Sequence, residues 1–173
     1  MDEFATEMKS LKSDGMEDLI LDLQGNGGGL LETAIDLADE FLKANELIVY
    51  TEGRSYPRRD RTSTVKGDFE KGRLIVLMDE GSASASEIVA GAIQDWDRGL
   101  VVGRRSFGKG LVQRPIPLPD GSYVRLTTQK YYTPSGRCIQ KSYDDGAEAY
   151  YMEKYERYET GEVFSIDSLH APD

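Results

Sequence analysis

Arg73-Leu74-Ile75-Val76-Leu77-Met78, running without a break into Asp79-Glu80-Gly81-Ser82-Ala83-Ser84-Ala85-Ser86-Glu87-Ile88, is the stretch from which the fold can be read. The first six residues form an apolar, β-branched run bounded by charge, the pattern of a buried strand. Small residues follow. From Ser84 to Asp95 the apolar positions are Ile88, Val89, Ala92 and Ile93, at helical spacing. The order is strand, tight turn, helix. The same order occurs upstream, where Leu19–Leu23 (LILDL) breaks into Gln24-Gly25-Asn26-Gly27-Gly28-Gly29 and Leu30 to Lys43 then carries the stripe Leu30, Leu31, Ala34, Leu37, Ala38, Phe41, Leu42. Repeated strand-turn-helix units predict an α/β fold with a mostly buried sheet.

The remaining segments fit around these two units. Phe4, Met8 and Leu11, followed by Gly15, predict an N-terminal amphipathic helix with a glycine stop. Glu46–Thr51 reads as a strand and Arg54–Lys71 as a hairpin or surface excursion. Gly99–Gly103 is a further strand, Arg104–Gly110 a glycine-containing turn, and Leu111–Lys130 a hairpin around Pro119-Asp120-Gly121. From Ser142 the character changes to tyrosines among charges. The expected division is therefore a core over residues 1–141 and a Tyr-rich extension over 142–173, with a helix from about Ala147 to Glu159 presenting Tyr151, Tyr155 and Tyr158 on one face.

A chain of 173 residues holds one well-buried domain, and no apolar run approaches the roughly 18 residues that a membrane helix needs. The N-terminus lacks the basic and apolar regions of a signal peptide. A formal charge of -10 argues against a nucleic-acid partner, since phosphate binding runs on Lys and Arg. The one basic stretch, Arg54, Arg58, Arg59, Arg61 and Lys66, reads as a solvated hairpin. The single cysteine, Cys138, permits no internal disulfide and has no histidine partner in sequence, the only histidine being His170. The glycine loop meets the dinucleotide pattern only in part, because Leu30 stands where its third glycine belongs.

A serine hydroxyl needs a base within hydrogen-bond reach and donors for the oxyanion it generates. Ser82, Ser84 and Ser86 sit at the start of a helix, where free N–H groups and the positive end of the dipole converge; they read either as helix caps or as a nucleophile site. With His170 in a polar tail, lysine is the remaining base. Lys109 lies between Ser106-Phe107-Gly108 and Gly110-Leu111-Val112, in a stretch without an acidic residue from Arg98 to Pro119. To act as base near pH 7 it must lose about three pKa units, roughly 4 kcal/mol, through burial. Gln113 could orient the amine without adding charge. A surface lysine in a turn is the other reading. Ser106-x-x-Lys109 also spells the S-x-x-K of penicillin-binding enzymes, but that motif opens a helix, which Gly108 and Gly110 disfavour.

Three stretches together resemble the C-terminal processing peptidases, or tail-specific proteases: Leu21-Asp22-Leu23-Gln24-Gly25-Asn26-Gly27-Gly28-Gly29-Leu30, Gly81–Ile88, and Gly103 with Phe107-Gly108-Lys109-Gly110-Leu111-Val112-Gln113. The likeness runs from about residue 16 to residue 141, and Gln24 stands where that family usually has arginine. It implies a crotonase-like spiral core and a serine endopeptidase cleaving proteins near their C-termini. Ser84 would be nucleophile, Lys109 base and Gln113 the lysine-orienting residue, with the N–H groups of Ala85 and of Gly28 or Gly29 as oxyanion donors. No metal or organic cofactor is implied. Protein or peptide substrates are the implied partners, with a PDZ domain and an export signal to the bacterial periplasm or cell envelope in the full-length parent, and a homo-oligomer is possible. Without the PDZ domain the core is expected to be weakly active or inactive on proteins. A non-catalytic binding module of the same fold is the alternative.

Overall fold

A computed structural model of the chain describes residues 1–64 and 67–165, so Lys66 and His170 lie outside the described residues. Two compact units are present, Met1–Lys141 and Ser142–Asp173.

In the first unit, α1 (Asp2–Ser13) is followed by β1 (Leu19–Asp22), α2 (Leu31–Asp39) and the hairpin of β2 (Leu47–Gly53) with β3 (Tyr56–Thr62). Next come β4 (Leu74–Met78), α3 (Ala85–Asp95), β5 (Leu100–Gly103) and a second hairpin, β6 (Leu111–Pro117) with β7 (Tyr123–Tyr132). The α/β class is as expected, with the strands divided between two sheets. β1-β4-β5 is parallel; β3-β2-β7-β6 is antiparallel, joined through β2 and β7. Within Arg54–Lys71, Tyr56–Thr62 forms the return arm of a hairpin, while Phe69 further on is buried in the core.

The parallel sheet has the apolar sequence it requires, because a strand between two others exposes its faces and not its edges. Register pairs Ile20 with Ile75 and Ile75 with Leu100, so alternate residues share a face. Leu74, Val76 and Met78 turn inward against Ala34, Ile35 and Ala38 of α2 and Ile88, Val89, Ala92 and Ile93 of α3, which form one core with Ile48 and Val49 of β2. Burial is confined to that face: on the other, Ile20 and Leu100 are 63% and 67% exposed.

Helix α2 stops at Asp39, short of the Lys43 expected from its stripe. Phe41 and Leu42 are nonetheless fully buried, because the chain turns after the helix and drives both inward. Arg98 holds this turn, its guanidinium donating to the carbonyls of Phe41 at 2.8 Å, Phe69 at 2.6 Å and Gly72 at 3.0 Å. The Phe41 ring meets Phe4 of α1 and Phe69 edge-on, with centroids 6.1 and 6.4 Å away.

The second unit contains α4 (Gly146–Glu159), ending in a short 3-10 turn, Glu162–Phe164, to which Arg157 bonds through Glu162 at 2.7 Å. Tyr143 stacks on Tyr150 with centroids 4.0 Å apart, while Tyr151, Tyr155 and Tyr158 are exposed. Among the described residues no helix is long and apolar enough to cross a membrane.

Phe41→Ala empties the junction of α1, α2 and the turn before β4. Its expected cost is about 3–5 kcal/mol, read as a lower urea midpoint at unchanged slope; a loss below about 1 kcal/mol would show that the ring is not part of the core.

Candidate active site

Ser84 is the residue that caps α3, with φ 56° and ψ -110°, a left-handed value that costs a non-glycine residue on the order of 1–3 kcal/mol. The two flanking serines serve the framework. Ser82 is fully buried, donating from Oγ to the Leu23 carbonyl at 2.8 Å and accepting from the Asp79 N–H at 2.9 Å. Ser86 Oγ donates to the Asn26 carbonyl at 3.0 Å. Ser84 remains half-exposed at the start of the helix, with Ala85 next to it as the first helical residue. The Ala85 N–H has no partner among the described residues, as expected for the first donor of a helix.

The strained turn is held by Glu87, which is buried. Its Oε2 accepts the N–H of Ser84 at 2.7 Å and that of Lys109 at 2.9 Å. Its Oε1 accepts the Ser106 hydroxyl and the Gly108 N–H, both at 2.6 Å. One carboxylate therefore joins the turn carrying Ser84 to the loop carrying Lys109. No acidic residue flanks Lys109 in sequence, yet the fold delivers a carboxylate to its main chain. Reading the residues one motif at a time overlooks Glu87. The available signal is the capping-box spacing Ser84-x-x-Glu87, in which the third helical residue reaches back to the cap N–H.

Burial of the Lys109 amine, expected from its apolar neighbours, is not observed. Lys109 is exposed, because the loop is anchored by its N–H and leaves the side chain outside. Gln113 is exposed on β6. No hydrogen bond joins Ser84 Oγ to Lys109 Nζ, or Gln113 to Lys109, among the described residues. Ser106 is committed to Glu87, and the segment from Ser106 to Gly110 has no helix, so the S-x-x-K geometry is absent.

The glycine loop after β1 lies against the same helix start. Gly28 has φ 96°, and a Cβ built there would fall 2.6 Å from the Ala83 carbonyl oxygen, 2.8 Å from the Ala85 nitrogen and 2.9 Å from Ser84 Cβ. Only glycine allows this approach. Asn26 shapes the loop, its Oδ1 accepting the Gly28 N–H at 2.9 Å and its carbonyl accepting from Ala83 N–H at 3.0 Å. Asp79 ties the two loops, Oδ1 receiving the N–H groups of Gly25 at 2.8 Å, Gly81 at 2.9 Å and Ser82 at 3.1 Å. The loop is therefore anchored through its backbone. Gln24, at the position of the family's arginine, is exposed and its N–H bonds Asp22 at 2.9 Å. The Gly28 N–H is engaged, while that of Gly29 has no partner among the described residues. No cluster of three or more metal-ligating side chains occurs among the described residues.

The model of peptidase family S41 matches residues 1–148. The chain belongs to peptidase family S41. Among its relatives, a carboxy-terminal-processing protease of Bartonella bacilliformis is 49% identical over 131 residues, covering 75% of this chain and 30% of that protein. A carboxy-terminal processing protease of Bacillus subtilis is 36% identical over 141 residues, 81% of this chain and 29% of that one. The solved photosystem II D1 C-terminal processing protease superposes with a TM-score of 0.70 at 36% identity, over 78% of this chain and 34% of that chain. This S41 chain thus spans about a third of the length of the relatives it matches, and its fold is that of the S41 proteases.

Two substitutions separate approach from mere flexibility in the glycine loop of this S41 chain. Gly28→Ala, strained in φ and blocked by Ala83, Ser84 and Ala85, is expected to slow labelling by a fluorophosphonate about 10²-fold or more. Gly29→Ala, with open space around the added methyl, stays within about threefold of wild type. Equal effects would remove the close approach of Gly28 as the cause.

Proposed function

We propose that this chain is the catalytic part of a serine endopeptidase that cleaves proteins near their C-termini, with Ser84 as nucleophile and Lys109 as base. The observation that carries the reading is the shared oxygen of Glu87, which brings the main chains of both residues within two hydrogen bonds of each other. A lysine side chain anchored at such a distance has the length to swing onto the serine hydroxyl.

The reaction then proceeds in two halves. Neutral Lys109 Nζ takes the proton of Ser84 Oγ as the oxygen attacks the peptide carbonyl carbon. The oxyanion is received by the Ala85 N–H and by a glycine donor of the 27–29 loop, Gly29 in the arrangement described or Gly28 once released from Asn26. Lys109 passes its proton to the departing amine, leaving Ser84 acylated. A water molecule then gives a proton to Lys109 and attacks the ester, and Lys109 returns that proton to Ser84 Oγ as it leaves, which frees the acid product and restores both groups. A substrate laid over the exposed lysine excludes water and disfavours its charged form, supplying the desolvation that the free protein lacks. Gln113 would orient the amine in that closed arrangement. The chemistry requires neither metal nor organic cofactor.

The resemblance to C-terminal processing peptidases suggests the remaining parts. A PDZ domain in the full-length parent would bind the C-terminal segment of the substrate, and export would place the protein in the bacterial periplasm or cell envelope. The 1–141 core and the 142–173 extension would be separate modules of that parent, and assembly into a homo-oligomer is compatible with the exposed tyrosines of α4. The alternative, a non-catalytic binding module of the same fold, is favoured by the absence of a Ser84–Lys109 bond.

Fluorophosphonate labelling and hydrolysis of an unstructured peptide decide between them. Ser84→Ala is expected to abolish both, and Lys109→Ala to lower both at least 10²-fold. Ser82→Ala and Ser86→Ala lose stability by about 1–3 kcal/mol but keep a reactive folded fraction. Labelling of Ser84→Ala at the wild-type rate, or a wild-type protein that stays silent across the whole alkaline range in which it remains folded, would leave the binding module.

A further inference from the structure

β6 is the outer strand of the antiparallel sheet and pairs only with β7. The phase of that ladder is fixed at both ends, by the Tyr131 N–H donating to the Gly110 carbonyl and the Leu118 N–H donating to the Ser122 carbonyl, each at 2.8 Å. Bonded positions alternate along an antiparallel strand. The one irregularity, between Val112 and Gln113, inserts Thr128 on the β7 side and leaves β6 in step. Val112, Arg114 and Ile116 therefore turn their main-chain groups to β7, and Leu111, Gln113, Pro115 and Pro117 turn theirs to the open side. Two of these four are prolines and have no N–H. The open edge offers donors at Leu111 and Gln113 and nowhere beyond.

We infer that this short edge is a rail onto which the extended main chain of the substrate adds as a further strand, over Leu111 to Gln113. The inference rests on the peptidase reading above and names how its substrate is held. Leu111 is two residues past Lys109, and Lys109 shares a carboxylate oxygen with Ser84. A peptide strand bonded at Leu111 would thus begin two residues from Lys109, on the loop that Glu87 ties to the turn of Ser84. Main-chain pairing recognises extended peptide of any sequence, the chemistry that a protease acting on unfolded tails requires. The other edge of the same sheet is unsuited, because β3 carries Pro57, Arg58, Arg59, Asp60 and Arg61, a charged guard. Two donors are too few for a second copy to pair edge to edge, so the prolines admit a short peptide and refuse a sheet.

The test uses the Ser84→Ala chain, with amide hydrogen exchange read residue by residue and a tryptic digest of casein at millimolar concentration as the probe. Exchange at Leu111 and Gln113 is expected to slow about fivefold or more, with Arg114 and Ile116, already bonded to β7, unchanged. Pro115→Thr restores an outward N–H, adds a third protected amide and tightens binding of the same digest about 3–10-fold, the worth of one hydrogen bond. Unchanged exchange, uniform slowing along β6, or protection that follows protein concentration in place of the digest would overturn the rail, the last by assigning the edge to a second copy. Wild-type cleavage with no protection removes the rail and keeps the dyad; protection in a protein that labels with no serine probe keeps the rail and removes the dyad.

Discussion

The buried carboxylate of Glu87 is the interaction on which the rest of the site depends. A desolvated carboxylate is costly unless its lone pairs are filled, and four donors fill them here. That requirement acts as a geometric specification. The turn at Ser84 must present its N–H inward, which helps to hold the left-handed backbone, and the loop from Ser106 to Lys109 must fold over α3. Helix, turn and loop are thereby one unit, although Ser84 and Lys109 lie 25 residues apart in sequence.

A second carboxylate does similar work on the other side. Asp79 collects N–H groups from the glycine loop and from its own turn, while Ser82 and Ser86 reach across to the carbonyls of Leu23 and Asn26. The small side chains of the run from Gly81 to Ser86 let two loops approach closely, and hydroxyls satisfy the carbonyls that this approach buries. Glycine at position 28 follows from the same crowding. Each strand of the parallel sheet that matters, β1 and β4, ends at this place, so the ends of two strands and the start of one helix converge where a small anionic group could be received.

The antiparallel sheet answers to a different constraint. Its inner face carries Val49, Thr51, Gln129 and Tyr131, all buried, with Gln129 donating to Thr51 Oγ1 at 2.9 Å. Its far end is a hairpin with exposed Ile116, Leu118, Tyr123, Val124 and Leu126. Since β6 emerges directly from the lysine loop, the sheet carries the site's influence outward along a single strand whose free edge is limited by proline.

Much of this was legible in the chain. Alternation between β-branched runs and helical stripes gave most of the core elements, because the core is apolar and periodicity records which side faces it; the motifs Gly81–Ile88 and Phe107–Gln113 contain Ser84, Gly108 and Lys109, three of the residues bonded to Glu87. Other features escaped because they depend on residues distant in sequence. Helix α2 ends at Asp39 since Phe41 and Leu42 find more burial in a turn capped by Arg98, and the strands divide between two sheets because β2 pairs with β3 and β7. Lys109 has apolar neighbours in sequence and yet is exposed, its backbone and not its amine being what the fold secures. Sequence fixes which groups are available and their local conformation; the close approach of Glu87 to a loop 21 residues further on is set by packing alone, since only a buried carboxylate compels distant N–H groups to meet.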